Sequence, residues 1–179
     1  LAVAFMMPRK KIQLHPDRSW LWVGLLTLAA FLLRVVALEE LPGGFHVDES
    51  GMAEFSLVHV LPEGQDFTIN PFRTASGSHP ILYYYILRLT TFIGGYTVAA
   101  ERFSSVLAGS AAVGAMYFMV RQLSGRRTAL IAAVILTAYH YHIHWSRIAL
   151  NNIWVTLLMP LAIGFFAWGW RRKHVLGGL

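Results

Sequence analysis

The chain has 179 residues, of which 56% are hydrophobic and only 13% are charged. A soluble globular domain carries about 25% charged residues, so this composition predicts a protein embedded in lipid and excludes a disordered chain. The absence of cysteine excludes disulfides, thiolate metal sites and cysteine nucleophiles. The net charge of +6 does not indicate a nucleic-acid partner, because the Lys and Arg residues lie at the ends of apolar runs, as in membrane proteins.

Four apolar runs are long enough to cross the hydrocarbon core of a bilayer, which takes about 20 helical residues. They are residues 20–38, 103–120, 129–145 and 153–170. The third run is apolar as far as Tyr139 and then becomes rich in His and aromatic residues, a composition typical of a helix end in the headgroup region. The sequence therefore predicts an all-α fold, a polytopic bundle of transmembrane helices whose first loop faces outward.

A fifth run, residues 81–93, decides the topology of everything after it. It is short and contains Arg88. If it does not cross the membrane, the basic residues around 9–18, 121–127 and 171–173 all face the cytoplasm, as the positive-inside rule requires. We therefore expect residues 81–93 to form an interfacial or re-entrant helix. The remaining segments are then a basic cytoplasmic N-terminus (1–19), an external loop (39–102) with interfacial helices at about 50–60 and 81–93, and a cytoplasmic tail or the start of a missing remainder (171–179).

The predicted external loop holds most of the acidic residues. Seven of the nine lie between Leu38 and Pro80: Glu39, Glu40, Asp48, Glu49, Glu54, Glu63 and Asp66. A helical pattern begins near Ser50, which places Asp48 and Glu49 at a helix N-terminus, with His46 just before them. Asp48 is then a helix cap with Glu49 as a first-turn acid, or it is a fixed carboxylate that performs chemistry at the membrane surface. The pattern alone leaves both interpretations open.

Two further polar stretches are candidates for binding. His79 precedes a Pro and three tyrosines beginning at Tyr83, which are interfacial anchors or line a polar cavity together with His79. Arg147 and Asn151 lie between the last two predicted spans. An Arg in a membrane protein needs an anion, such as a carboxylate or a lipid phosphate, unless its side chain reaches the headgroups.

Three other features have simpler interpretations. Arg102 pairs with the adjacent Glu101 or caps the start of the second span. His140 and His144 have the spacing of metal ligands, but no carboxylate motif accompanies them, so we expect no metal site and no other cofactor. Small residues at four-residue spacing, Ser105 with Gly109 and Ser110 with Gly114, predict close packing of the second span on a neighbouring helix.

The order of these motifs resembles the N-terminal part of a GT-C-type membrane glycosyltransferase of the protein mannosyltransferase-like group, which includes bacterial lipid A and cell-envelope sugar transferases. The resemblance spans about residues 20–170. The motifs are Pro42-Gly43-Gly44-Phe45-His46-Val47-Asp48-Glu49, His79-Pro80 with the tyrosines, Glu101-Arg102, and Ser146-Arg147 followed by Asn151. Members of this group are much longer, so the resemblance implies that the chain is the N-terminal portion of a larger enzyme.

The resemblance implies a bacterial inner-membrane or plasma-membrane enzyme that takes a sugar from a lipid-phosphate-linked donor. The acceptor is a lipid, a glycan or a protein. It implies that Asp48, with Glu49 beside it, supplies the catalytic carboxylate and that Arg147 holds the departing phosphate. The motifs also make His46, His79, Tyr83, Arg102 and Asn151 candidates for substrate binding. Members often have a second acidic residue where this chain has Asn151, which argues against a required metal.

Two other classes of function are compatible with the sequence. In a transporter or flippase fragment, Arg34, Arg88 and Arg102 would line a path, but inverted repeats and broken mid-membrane helices are not evident. A non-catalytic assembly subunit would use the small-residue face of the second span. The clustering of acidic residues near His46 and His79 favours the enzyme.

Overall fold

A computed structural model of the protein describes residues 18–57 and 81–172. Every regular element in these two ranges is helical, in agreement with the all-α prediction. The helices are α1 (Ser19–Val35), α2 (Val47–Phe55), α3 (Ile81–Gly94), α4 (Val98–Ser124), α5 (Arg126–Ala138), α6 (His140–Trp145) and α7 (Asn152–Arg172).

Two of these helices are long and apolar enough to cross a membrane, judged by length and composition. They are α4 and residues Asn152–Arg171 of α7, and they correspond to the second and fourth predicted spans. Helix α1 is apolar but has only 17 residues. It ends at Val35, three residues before the predicted boundary, because Val36 is extended and Ala37 has a positive φ of 52°.

The third predicted span, residues 129–145, is divided into α5 and α6 at Tyr139, which has an extended backbone. A buried arginine of α1 explains the break. The Arg34 guanidinium donates to the Leu136 carbonyl near the end of α5, at 3.5 Å, and lies 3.0 Å from Nδ1 of His142 in α6. Arg34 is fully buried, and the break brings both acceptors to it.

Helix α4 lies at the centre and packs against α1, α3, α5, α6 and α7. The predicted close packing of its small residues is confirmed. A Cβ added at Gly109 would overlap the Cβ of Ser146, and the Ser105 hydroxyl donates to the Leu150 carbonyl at 3.4 Å. Gly114 lies against Thr27 of α1. These contacts fix α4 against both α1 and the connection between α6 and α7.

The two predicted interfacial helices correspond to α2 and α3. The described part of helix α3 is Ile81–Gly94, and its 14 residues span about 21 Å at 1.5 Å per residue. Helix α2 begins three residues before the predicted start at about residue 50, and residues 58–60 of that prediction lie outside the described ranges. Their interfacial placement stays a prediction.

Two hydrophobic clusters stabilise the bundle. One lies between α1, α4 and α5 and includes Val23, Ala30, Val113, Tyr117, Ala129 and Ala133. The other joins α2 and α3 to the connection between α6 and α7, and includes Met52, Tyr83, Tyr84, Leu87, Ile148 and Leu150. We call the end of the bundle that contains this second cluster the upper end. There α1 finishes, α2 lies, and α4 begins.

Candidate active site at the upper end

Helix α2 begins with a reciprocal pair of hydrogen bonds. The Nδ1 atom of His46 accepts from the backbone N–H of Asp48 at 3.2 Å, and the His46 N–H donates to Oε2 of Glu49 at 2.9 Å. Together they form a capping box, in which the side chain of the residue before the helix accepts from a first-turn N–H, here that of Asp48, and its own N–H donates to a first-turn acid, here Glu49. The cap is therefore His46, and the interpretation of Asp48 as the cap is wrong.

Asp48 is therefore an acid in the first turn of α2 and not its cap. Its side chain is 65% exposed. Among the described residues, its ionic contact is with His46, whose Nδ1 lies 3.6 Å from Oδ2 and is too far away for a hydrogen bond. The structure thus presents an accessible carboxylate on a fixed backbone at the first turn of a helix.

Glu49 has the opposite environment, since its side chain is 1% exposed. Four hydrogen bonds reach its carboxylate: two from Arg102, at 2.9 and 3.1 Å, one from the Ala149 N–H at 2.8 Å, and the one from His46. Burial by itself raises the pKa of Glu49, but the bonds from Arg102, Ala149 and His46 outweigh it and hold the pKa below its ordinary value. Glu49 is a buried anion that joins three segments.

Every N–H donor of the Arg102 guanidinium, near the start of α4, is used in a hydrogen bond. An arginine has five N–H donors. Here they make five hydrogen bonds, two to Glu49 and three to the carbonyls of Leu38, Pro42 and Gly44, at 3.2, 3.1 and 2.7 Å. Arg102 therefore pairs with Glu49, and the predicted pairing with the adjacent Glu101 is not observed. Its bonds hold the segment between α1 and α2 against α4.

Arg147 binds the end of α1. It donates to five backbone carbonyls at 2.8–3.2 Å, those of Leu33, Arg34, Val36, Ala37 and Leu41. The last carbonyls of a helix lack intrahelical partners and carry partial negative charge, so a cation is favourable there. The need of Arg147 for an anion is met by these carbonyls. The predicted contact with a phosphate stays a prediction, and it would require some of these bonds to be released.

The other predicted site residues are more dispersed. Tyr83 is buried in the cluster of the upper end, and burial raises its pKa. Asn151 is half-buried just before α7, and its carbonyl accepts from the Trp154 N–H at 3.1 Å. His79 lies outside the described residues. The structure thus brings together His46, Asp48, Glu49, Arg102 and Arg147.

Sequence reasoning missed two participants. Glu39 accepts from the Ala99 N–H in the first turn of α4 at 2.7 Å, which adds another tie between the α1–α2 connection and α4. Arg34 continues the network into the bundle, because its carbonyl accepts from Arg147 while its guanidinium binds α5 and α6. A charged residue within an apolar run was the available signal for Arg34.

The spacing of His140 and His144 raises the question of a metal site. Within residues 18–57 and 81–172 there is no group of three His, Asp or Glu side chains arranged to hold an ion. His140 and His144 are both exposed on α6, where they contact aromatic rings of neighbouring residues. In α2 the accessible carboxylates are those of Asp48 and Glu54, and the imidazole of His46 lies beside Asp48.

The described residues form a helical bundle with two helices long and apolar enough to cross a membrane, and at its upper end the exposed carboxylate of Asp48 adjoins the buried ion pair of Glu49 and Arg102. Residues 78–177 match the dolichyl-phosphate-mannose-protein mannosyltransferase family. The match covers more than half of the chain, and the protein belongs to this family, which makes it a membrane glycosyltransferase of the GT-C type. Neither a curated protein nor a solved structure matches the chain significantly.

The matched segment contains α3 to α7 and therefore Arg102 and Arg147. His46, Asp48 and Glu49 precede it. The bonds of Glu49 to Arg102 and Ala149 nevertheless join α2 directly to the matched part of the chain.

Proposed function

We propose that the protein transfers a hexose or pentose from a lipid-phosphate-linked donor to an acceptor hydroxyl, with inversion at the anomeric carbon and with Asp48 as the general base. The observation that carries the proposal is the contrast between adjacent carboxylates. Asp48 is exposed, whereas Glu49 is buried and bound by Arg102. Membership of a membrane glycosyltransferase family supports the reaction class.

The proposed reaction requires one general base close to the acceptor hydroxyl. The acceptor oxygen attacks the anomeric carbon as its proton passes to the Asp48 carboxylate. The bond from that carbon to the phosphate oxygen breaks, and the lipid phosphate leaves with the electron pair. A base must lie within hydrogen-bond reach of the proton that it takes, so a carboxylate with free lone pairs and open access is required.

Glu49 is the weaker candidate for this role, although the sequence gives it the same side-chain chemistry. Its four hydrogen bonds leave no oxygen for an acceptor hydroxyl, and removing it from Arg102 would leave a buried charge unpaired. We assign Glu49, Arg102 and Arg147 to positioning. They fix the segment that leads to Asp48, and this preorganisation lowers the cost of reaching the transition state.

The donor and acceptor contacts are proposed on the sequence motifs alone. His79, Tyr83 and Asn151 remain candidates for the sugar and phosphate, and Arg147 could contribute to the phosphate only if it exchanged its carbonyl partners. We further propose that the upper end faces outward across a plasma membrane. A polyprenyl-phosphate sugar is the donor class that fits an enzyme in this location.

The test is sugar transfer by membranes that carry the protein, with a radiolabelled polyprenyl-phosphate hexose as donor. Wild type is compared with Asp48→Asn, which is nearly isosteric and leaves the His46 cap intact. Glu54→Gln is the matched control, because Glu54 is an exposed carboxylate on the same helix. We expect transfer by wild type and Glu54→Gln, and a loss of at least 10² in Asp48→Asn, the lower range for a general base.

The outcomes separate the possible functions. Equal transfer by wild type and Asp48→Asn, at equal protein level, would remove Asp48 from the mechanism. The absence of transfer by every variant, with several polyprenyl-phosphate sugars, would contradict the proposed donor and return a transporter or an assembly subunit to consideration.

A further inference from the structure

The Nδ1 atom of His46 lies close to both the backbone nitrogen and the side-chain carboxylate of Asp48. Its Nδ1 lies 3.2 Å from the backbone nitrogen of Asp48 and 3.6 Å from the carboxylate oxygen Oδ2. A backbone N–H can only donate, so Nδ1 must accept and carries no proton in this arrangement. The ring is then the neutral tautomer with its hydrogen on Nε2.

A general base must release the proton that it gains in each turnover. In the proposed reaction, Asp48 becomes a carboxylic acid when the acceptor attacks, and it has to ionise before the next cycle. Among the described residues, the ionisable group paired with the Asp48 carboxylate is His46. Its Nδ1 has a free lone pair once the bond from the Asp48 N–H is given up.

We propose that His46 is a proton relay for Asp48, an inference that rests on the proposed function. The protonated carboxyl of Asp48 transfers its proton to Nδ1, which gives an imidazolium and restores the carboxylate. The imidazolium then releases its Nε2 proton to water, and the ring is neutral again. No other reactant is needed, and the proton of the acceptor hydroxyl ends in solvent.

The surroundings of His46 suit such a relay. In the free protein both side chains are largely exposed, 58% for His46 and 65% for Asp48, so a small rotation can close the 3.6 Å gap. In the proposed reaction the bound acceptor would cover the Asp48 carboxylate, whereas Nε2, on the other side of the His46 ring from Nδ1, would stay open to water. The backbone of His46 does not depend on the cap bond, because its N–H is held by Glu49. Arg102 also fixes the preceding turn through the Gly44 carbonyl. The ring can therefore change its partner while the segment stays in place.

The experiment separates the relay from the cap. Asparagine is a strong helix cap but has no titrating group, so His46→Asn keeps the start of α2 and removes the relay. We expect kcat to fall about tenfold with KM unchanged, a smaller loss than the 10² or more of the base itself. Added free imidazole should restore kcat in His46→Asn, because a small base can take the proton from Asp48. His46→Ser is a second capping variant for the case that the first does not accumulate in membranes.

Four results would be decisive. Wild-type kcat in His46→Asn would overturn the relay, and so would a reduced kcat that free imidazole leaves unchanged. Failure of the proposed function is recognised separately, because Asp48→Asn would then transfer sugar as well as wild type does. Loss of transfer in Asp48→Asn together with imidazole-dependent transfer in His46→Asn supports both the proposed function and the proton relay.

Discussion

The guanidinium of Arg102 binds both carboxylate oxygens of Glu49, at 2.9 Å from Nε and 3.1 Å from Nη2, across 53 residues of sequence. Both side chains are buried, with exposed fractions of 0% and 1%. Two parallel bonds between these planar groups fix orientation as well as distance. The pair connects the helix that carries Asp48 to the central helix of the bundle.

Replacing Arg102 by lysine should break most of this arrangement. An ammonium group is a compact charge with three donors and cannot reproduce the five bonds of the guanidinium. We expect a loss of about 3 kcal/mol in the free energy of unfolding, as for other broken buried ion pairs. Thermal unfolding in detergent measures the change. Arg127→Lys, at an exposed position, is the control and should unfold like wild type.

The buried pair also predicts instability in acid. The pKa of Glu49 is lower in the folded protein than its ordinary value of 4.5. The stability that Glu49 contributes is therefore complete above the ordinary value and is lost as the pH falls through the lower folded value. Unfolding temperatures measured from pH 7 down to pH 3 should fall at the acidic end. In Glu49→Gln this part of the pH dependence should be absent, and an unchanged acid dependence would contradict the assignment.

Gly109→Ala tests the close approach of α4 to Ser146. The added methyl group would overlap the Cβ of Ser146, so the connection that carries Arg147 must move. We expect a cost of about 1–3 kcal/mol, as for overpacking elsewhere. Gly24→Ala is a matched control, because it lies within α1 and a Cβ there meets nothing within 4 Å. That variant should be neutral or slightly stabilising.

His142→Phe tests the buried partner of Arg34. The phenyl ring has a similar shape but no acceptor, so a donor of Arg34 would lose its bond inside the protein. We expect destabilisation of about 1–3 kcal/mol, the cost of an unsatisfied buried polar group. His144→Phe changes an exposed histidine on the same short helix and should have little effect. Similar unfolding temperatures for the two variants would argue against the Arg34–His142 bond.

Single cysteines test the orientation of the upper end, since the chain has no natural cysteine. Gly43 lies in the connection before α2 with open space around it, and Ser124 is exposed at the opposite end of α4. In intact cells, a thiol reagent that cannot cross membranes should label Gly43→Cys and leave Ser124→Cys unmodified. Labelling of Ser124→Cys alone would place the candidate site on the cytoplasmic side.

Local features of the fold followed from the sequence. The helical character of residues 81–93 and the small-residue face of α4 depend on short stretches of chain, and both agree with prediction. The cap of α2 did not follow, because histidine is an unusual residue in that position and the acids after it are more common signals.

Long-range partners could not be derived from the sequence. The pattern shows that Arg147 needs an anion, but its partners are backbone carbonyls 106 to 114 residues away, at and just after the end of α1. The division of the third apolar run at Tyr139 has a similar origin, since it depends on Arg34 in another helix. The sequence pattern can predict that a charged residue is buried, whereas its partner is decided by which distant helices pack against it.

The five bonds of Arg102 couple the positions of the residues between α1 and α2 to one another and to Glu49. One guanidinium binds four residues, Leu38, Pro42, Gly44 and Glu49. None of them can therefore shift far without disturbing the bonds of the others. In the proposed reaction, the acceptor would therefore have to approach a carboxylate of Asp48 whose backbone cannot move far towards it. Changes of specificity in relatives with the same arginine should arise in the surfaces around this segment, while the segment itself stays fixed.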